Sequence, residues 1–136
     1  MRIGIMGGTG PAGSGLGLRL NVAGHEVVIG SRSEEKSRLV VAELVTAWPN
    51  HGITIEAGDN LAAAECDLVV VATPWDSIAT LVGEHADALR GKVVVTMANA
   101  LIRVGKEFQP LVPPRGSIAA HVQAAIPGSR VVAAMQ

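Results

Sequence analysis

The sequence predicts an α/β protein whose parallel sheet carries helices on both faces, and three observations support that expectation. Short runs rich in valine and isoleucine alternate with helical patterns, and Asp67-Leu68-Val69-Val70-Val71-Ala72 is apolar nearly throughout. Such a run suits a parallel strand buried on both faces. The first apolar run, around Ile3 and Ile5, leads into Gly8-Thr9-Gly10-Pro11-Ala12-Gly13, a G-x-G-x-x-G turn between strand and helix. The composition agrees: 49% of the 136 residues are hydrophobic, only 2% are aromatic and 16 are glycine, a mixture that suits valine-rich strands and alanine-rich helices.

In the glycine turn, Gly8 is expected to permit the sharp exit from the strand, Gly10 the close approach of a pyrophosphate, and Gly13 the tight seating of the helix on the sheet. The anion would meet helix N–H groups that lack a partner, and Pro11 suits a first helical turn because its fixed φ is already helical. The helix continues through Leu16, Leu18, Leu20 and Val22 to Gly24, a left-handed cap. Gly15 and Gly17 inside it each cost ~1 kcal/mol relative to alanine, which implies close packing against the sheet or a ligand.

His25–Gly30 reads as the second strand and ends in Ser31-Arg32-Ser33-Glu34-Glu35-Lys36. An NAD site carries an acid about 20 residues beyond the fingerprint to bond the ribose 2′-hydroxyl, whereas a 2′-phosphate calls for hydroxyl and cationic partners. Ser31, Arg32 and Lys36 form that second set and favour NADP, since arginine grips phosphate with two parallel charge-assisted bonds. Ser31 or Ser33 also suits a helix N-cap, and the two roles are compatible. Lys36–Ala47 supplies the helix, stopped by Trp48-Pro49-Asn50-His51-Gly52, and Ile53–Ala57 alternates like a third strand.

Gly58-Asp59-Asn60 then reads as a turn before a short helix, Leu61–Cys66, and the fourth strand, Asp67–Ala72, ends in Thr73-Pro74-Trp75-Asp76. Ligands of open α/β sheets collect at such carboxyl ends, and Trp75 fits either a ring cover or the edge of the core. A helix capped by Asp76 or Ser77 carries Ile78, Leu81, Val82 and Leu89 before the fifth strand, Val93–Thr96, and Met97-Ala98-Asn99-Ala100. Leu101–Gly116, with three prolines and poor periodicity, reads as an ordered loop with one helical turn. A helix from Ser117 through Ala125 and a sixth strand, Arg130–Ala134, complete a doubly wound Rossmann fold with a six-stranded parallel sheet. The length suits one NADP-binding domain over residues 1–136.

Eleven basic and twelve acidic residues leave a formal charge of -1, without the basic stripe or aromatic platform of a nucleic-acid binder. Cys66, the single cysteine, forms no intrachain disulfide and reads as a packed thiol at a helix end. With a single cysteine and no intrachain disulfide a cytoplasmic setting is expected, and no apolar run reaches the ~20 residues of a membrane span. His25, His51, His85 and His121 are dispersed without metal-ligand spacing, and no carboxylate pair stands out. A dedicated acid–base enzyme is hard to build from this set, whereas hydride transfer needs chiefly the orientation of two rings and a dry site, with no side-chain catalyst.

The combination of Gly7-Gly8-Thr9-Gly10-Pro11-Ala12-Gly13, Gly30-Ser31-Arg32 with Glu35-Lys36, and Thr73-Pro74-Trp75 resembles the NADPH-dependent reductases of coenzyme F420, an 8-hydroxy-5-deazaflavin. Met97-Ala98-Asn99-Ala100 and Phe108–Gly116 resemble the actinobacterial branch of that family. The resemblance implies hydride exchange between NADPH and F420 as a small-molecule cosubstrate, with the nicotinamide near Thr9, Thr73-Pro74-Trp75 and Met97-Ala98-Asn99. Family members continue beyond the sixth strand into a smaller helical domain that helps form the deazaflavin cleft and the dimer, whereas this sequence ends at Gln136. The expectation is therefore normal NADPH affinity with slow or absent turnover, and a homodimer that covers the open edge of the last strand. A noncatalytic NADP-binding module or redox sensor, and a reductase of small imines or keto acids, are the alternative readings.

Overall fold

In the computed structural model, which describes residues 1–135, six parallel strands and the helices between them follow the expected alternation. The sheet runs β3-β2-β1-β4-β5-β8, comprising β1 (Arg2–Met6), β2 (Glu26–Ser31), β3 (Glu56–Asp59), β4 (Leu68–Val71), β5 (Val93–Thr96) and β8 (Arg130–Ala133). The chain lays down β1, β2 and β3 toward one edge, then crosses to β4 and builds the other half. The reversal lies between β1 and β4, where Ile5 is in register with Val70, and a crevice opens at such a switch point. This is the doubly wound Rossmann arrangement.

Side chains alternate across the sheet and build two cores. On one face Ile3, Ile5, Val27, Ile29 and Val70 pack beneath Leu16 and Leu20 of α1 (Pro11–Val22) and Val41 and Leu44 of α2 (Glu34–Ala47). On the other, Met6, Val28, Val69, Val71 and Val94 meet α3 (Asn60–Ala64), α4 (Ile78–Glu84), α5 (Ala86–Leu89) and α6 (Ile118–Ala125). Gly17 brings α1 down on the sheet, since an added Cβ would lie 3.2 Å from the Cδ1 atoms of Ile5 and Ile29. Gly15 makes no comparable approach; its nearest such neighbour is an Arg19 side chain at 3.4 Å.

Helix α3 lies closer still. A Cβ on Gly4 would stand 1.9 Å from the Ala63 carbonyl oxygen, one on Gly30 2.8 Å from Ala63 Cβ, and one on Gly58 2.8 Å from Ala62 Cβ. Three glycines on three adjacent strands thus let five helical residues rest almost on the backbone of the sheet.

Three local expectations are corrected. The third strand begins at Glu56, because Ile53 and Ile55 alternate to fill the core under α1 and α2 while Thr54 N–H bonds to Asn21 Oδ1 instead of a ladder carbonyl. Leu101–Gly116 contains a β-hairpin where a loop was expected: β6 (Leu101–Val104) pairs antiparallel with β7 (Glu107–Pro110). Gly105, at φ +63°, opens its two-residue turn. Finally, the helix expected to run from Ile78 to Leu89 breaks at His85 into α4 and α5.

Candidate functional site

A groove of about 1000 Å³ lies along the carboxyl ends of the strands. Its size is at the upper end of the ~300–1000 Å³ typical of ligand sites. The groove brings together Thr9 and Gly10 from the glycine turn, Ser31, Arg32 and Lys36 beyond β2, and Thr73 and Pro74 beyond β4. These segments are far apart in sequence and meet because β2, β1 and β4 are neighbours in the sheet.

The glycine turn is held by the strands beside it. Met6 accepts from Ala72 N–H at 2.9 Å, and Gly8 N–H bonds to the Gly30 carbonyl at 2.9 Å. The left-handed residue is Gly7, at φ +65°, so the sharp turn expected at Gly8 falls one residue earlier. A side chain at Gly7 would also strike Thr73 Cγ2, at 2.2 Å. Gly8 is excluded from bearing a side chain by a different contact, 2.8 Å to the Ile5 carbonyl oxygen, and Gly13 by 2.6 Å to Gly8 Cα. Gly10 has no atom within 4 Å of its absent Cβ, so its bare backbone faces open space. Gly10 is the extended N-cap of α1 and has no side-chain cap; Pro11 follows in the exposed first turn with Ala12. The first-turn N–H groups therefore lack intrahelical acceptors and point toward an anion position.

At the β2 end, the local bonding sets the charges. Ser31 is buried, and its hydroxyl donates to the Ser33 carbonyl at 2.7 Å and accepts from Ser33 N–H at 3.0 Å. Ser33 Oγ caps α2 by accepting from Lys36 N–H. Glu34 pairs with Arg38 one turn along α2. Arg32 and Lys36 enter none of the ion pairs among the described residues and stand exposed on the groove. This end of the groove therefore carries two cations that are in no ion pair among the described residues. Asp59, on the same wall, has its Oδ1 occupied by Ala62 N–H at 2.8 Å.

Trp75, Met97 and Asn99 are not part of the groove wall. Trp75 packs against the core, and its indole N–H donates to the Leu101 carbonyl at 3.1 Å, tying the loop after β4 to the hairpin. Met97 packs against the core under α1 and α2, while Asn99 is exposed. Thr73 Oγ1, by contrast, is buried without a hydrogen-bond partner in the segment that lines the groove. An unsatisfied buried hydroxyl costs roughly 1–3 kcal/mol, and a ligand polar group would relieve it.

The opposite wall was not read from the sequence. It comes from α4 and its approaches, with Ser77, Thr80, Leu81 and Glu84, and from His85, whose Nδ1 lies 2.9 Å from the Leu81 carbonyl. Its local signal is that of an ordinary amphipathic helix; the crossover to β5 aims that helix across the groove. Among the described residues, no group of three or more His, Cys, Asp or Glu side chains is arranged to hold a metal ion, and no helix is long and apolar enough to cross a membrane.

Residues 2–100 match the model of the family described as NADP oxidoreductase, coenzyme F420-dependent. The chain belongs to this family. It is 34% identical over 141 residues to the F420-dependent NADP reductase of Methanocaldococcus jannaschii, an alignment covering 100% of this chain and 63% of the relative. With the F420-dependent NADP reductase of Methanothermobacter thermautotrophicus it shares 38% identity over 96 residues, 70% of this chain and 41% of that protein. Among solved structures, a candidate F420-dependent NADP reductase of Arthrobacter sp. FB24 superposes with a TM-score of 0.81 at 28% identity, covering 99% of this chain and 62% of that one. A pyrroline-5-carboxylate reductase of Coxiella burnetii, with a TM-score of 0.63 at 19% identity over 96% of this chain and 42% of that one, shares the fold. The chain thus spans less than two thirds of the length of these relatives.

Proposed function

We propose that residues 1–136 form an NADP-binding domain whose groove takes NADP(H), and that the protein transfers hydride between NADP(H) and the deazaflavin coenzyme F420. The observation that carries the reading is the groove's polarity along the sheet: Arg32 and Lys36 stand free at one end, and bare glycine backbone lies at the centre. Family membership supplies the deazaflavin.

The residues present fit the nucleotide. Arg32 and Lys36 would hold the 2′-phosphate, with Ser31 fixing the loop that presents them, and Thr9, Gly10 and the first turn of α1 would hold the pyrophosphate. Gly8 and Gly13 keep that turn pressed on β1, while Pro11 and Ala12 start the helix behind it. Thr73 and Pro74 border the nicotinamide end; Trp75 and Met97 act behind that border as support for the loops, and Asn99 stands exposed beyond β5. When bound, NADPH supplies a hydride that the deazaflavin accepts together with a proton from water. The protein's part is to orient the rings and exclude solvent, and no side chain need act as acid or base.

Self-association belongs to the same proposal. Among the described residues strand β8 pairs only with β5, and Val132 on it is 46% exposed. An unpaired edge of this kind suits a symmetric dimer, which sedimentation at micromolar concentration would detect.

The deciding experiment mixes the protein, NADPH and oxidised deazaflavin and follows the loss of deazaflavin absorbance, with small imines and keto acids assayed in parallel. Deazaflavin reduction is the expected result. Turnover only with an imine or keto acid would overturn the deazaflavin assignment, and tight NADPH binding with no turnover would identify a binding module.

A further inference from the structure

We infer that Asn60 is a positioning residue for the nucleotide site: its side chain holds the glycine turn in the shape that grips a pyrophosphate. The inference rests on reading the groove as an NADP(H) site and extends it to a residue outside the fingerprint.

Three hydrogen bonds anchor the point where the chain leaves β1. Two are backbone bonds to neighbouring strands, Ala72 N–H to Met6 and Gly8 N–H to Gly30. The third is Gly7 N–H to Asn60 Oδ1 at 2.9 Å, between residues 53 apart. Gly7 is the left-handed residue of the turn, and it has access to a second, mirror-like set of conformations at little cost. The Met6 carbonyl and the Gly7 N–H belong to one planar peptide unit, so Ala72 holds that peptide by its oxygen and the Asn60 amide oxygen holds it by its N–H, fixing its tilt from both ends.

Asn60 is only 5% exposed, and its reach is built into the fold. Asp59 caps α3 through Ala62 N–H, which makes Asn60 the first residue of the helix. Gly4, Gly30 and Gly58 let that helix sink onto the sheet. A helix seated at ordinary distance would leave this short side chain unable to meet Gly7. The close seating of α3 and the shape of the turn are therefore one arrangement, with Asn60 as the link.

The test separates the two ends of the ligand. NADP+ and adenosine 2′-phosphate both carry the 2′-phosphate, and only NADP+ carries a pyrophosphate. Asn60→Ala is expected to weaken NADP+ about tenfold, the upper range for losing one hydrogen bond, and to leave adenosine 2′-phosphate within about twofold. In the free protein, hydrogen exchange at the Gly7 amide should accelerate in Asn60→Ala and stay protected in Asn60→Asp, which keeps an acceptor oxygen. Equal losses for both ligands, or unchanged NADP+ affinity, would overturn the inference. A Gly7 amide unprotected in the wild type would overturn it independently of any ligand, whereas wild-type protein that binds neither probe would overturn the reading of the groove itself.

Discussion

Replacing Gly4 with alanine tests the seating of α3 directly. The new methyl carbon would lie 1.9 Å from the Ala63 carbonyl oxygen, 2.6 Å from its carbonyl carbon and 2.8 Å from its Cα. Contacts of a Cβ below 3.0 Å are essentially never seen, and the obstruction here is backbone, so no rotamer change relieves it. The helix must retreat by about 1 Å, which in a close-packed interior breaks contacts along its whole length. Overpacking of this kind costs ~1–3 kcal/mol, and losing the Asn60 bond to Gly7 adds ~1 kcal/mol. For a chain of this size, each kcal/mol lowers Tm by roughly 3–5 °C, so Gly4→Ala should melt roughly 10 °C below the wild type. Circular dichroism during thermal unfolding, with NADP+ titration on the folded variant, measures both consequences. A variant that melts within about 1 °C of the wild type and binds NADP+ unchanged would refute the argument that the bare strand backbone seats α3.

Arg32→Ala should lower NADP+ affinity roughly 10- to 150-fold, the value of a charge-assisted phosphate contact, with little change for NAD+; calorimetric titration of both nucleotides checks it. Gly10→Ala meets nothing within 4 Å and keeps an ordinary backbone at φ −78°, so its Tm should hold while NADP+ affinity falls about tenfold or more, because the methyl projects where phosphate must approach. Gly83→Ala, in open space on α4, should stabilise the fold by about 0.5–1 kcal/mol in a urea melt. Burial pushes the Cys66 thiol above its usual range. Its protonated form, which donates to the Ala62 carbonyl at 3.5 Å, persists in the fold after the unfolded chain has ionised. Stability should therefore fall as pH rises through and past the usual thiol range, and native protein should react with a maleimide much more slowly than protein in denaturant.

The local code was legible wherever one segment carries its own reason for a conformation. Val69–Val71 and Val93–Val95 are apolar enough to declare buried strands, Gly24 ends α1 at positive φ, and Ser33 and Ser117 cap the helices that follow them. The meeting of Ser31, Arg32 and Lys36 at one end of the groove was legible for the same reason, since they are close in sequence and need no distant partner to be brought together. The hairpin was masked because its strands are only four residues each and the second ends at a proline, a pattern that periodicity reads as a broken loop. Gly58 looked like part of a turn, although it is a strand residue left bare for Ala62. Asn60 looked like a turn residue, although its amide reaches Gly7 across the sheet. Trp75 fitted two roles until its bond to Leu101 was visible, and Thr80 and Glu84 had no reading as groove residues until α4 was placed across from Arg32. Periodicity records which face of a segment is buried and leaves its partner unspecified. Only the packed sheet decides which backbones approach closely enough to exclude a Cβ, and so where a side chain from one crossover can hold the turn of another.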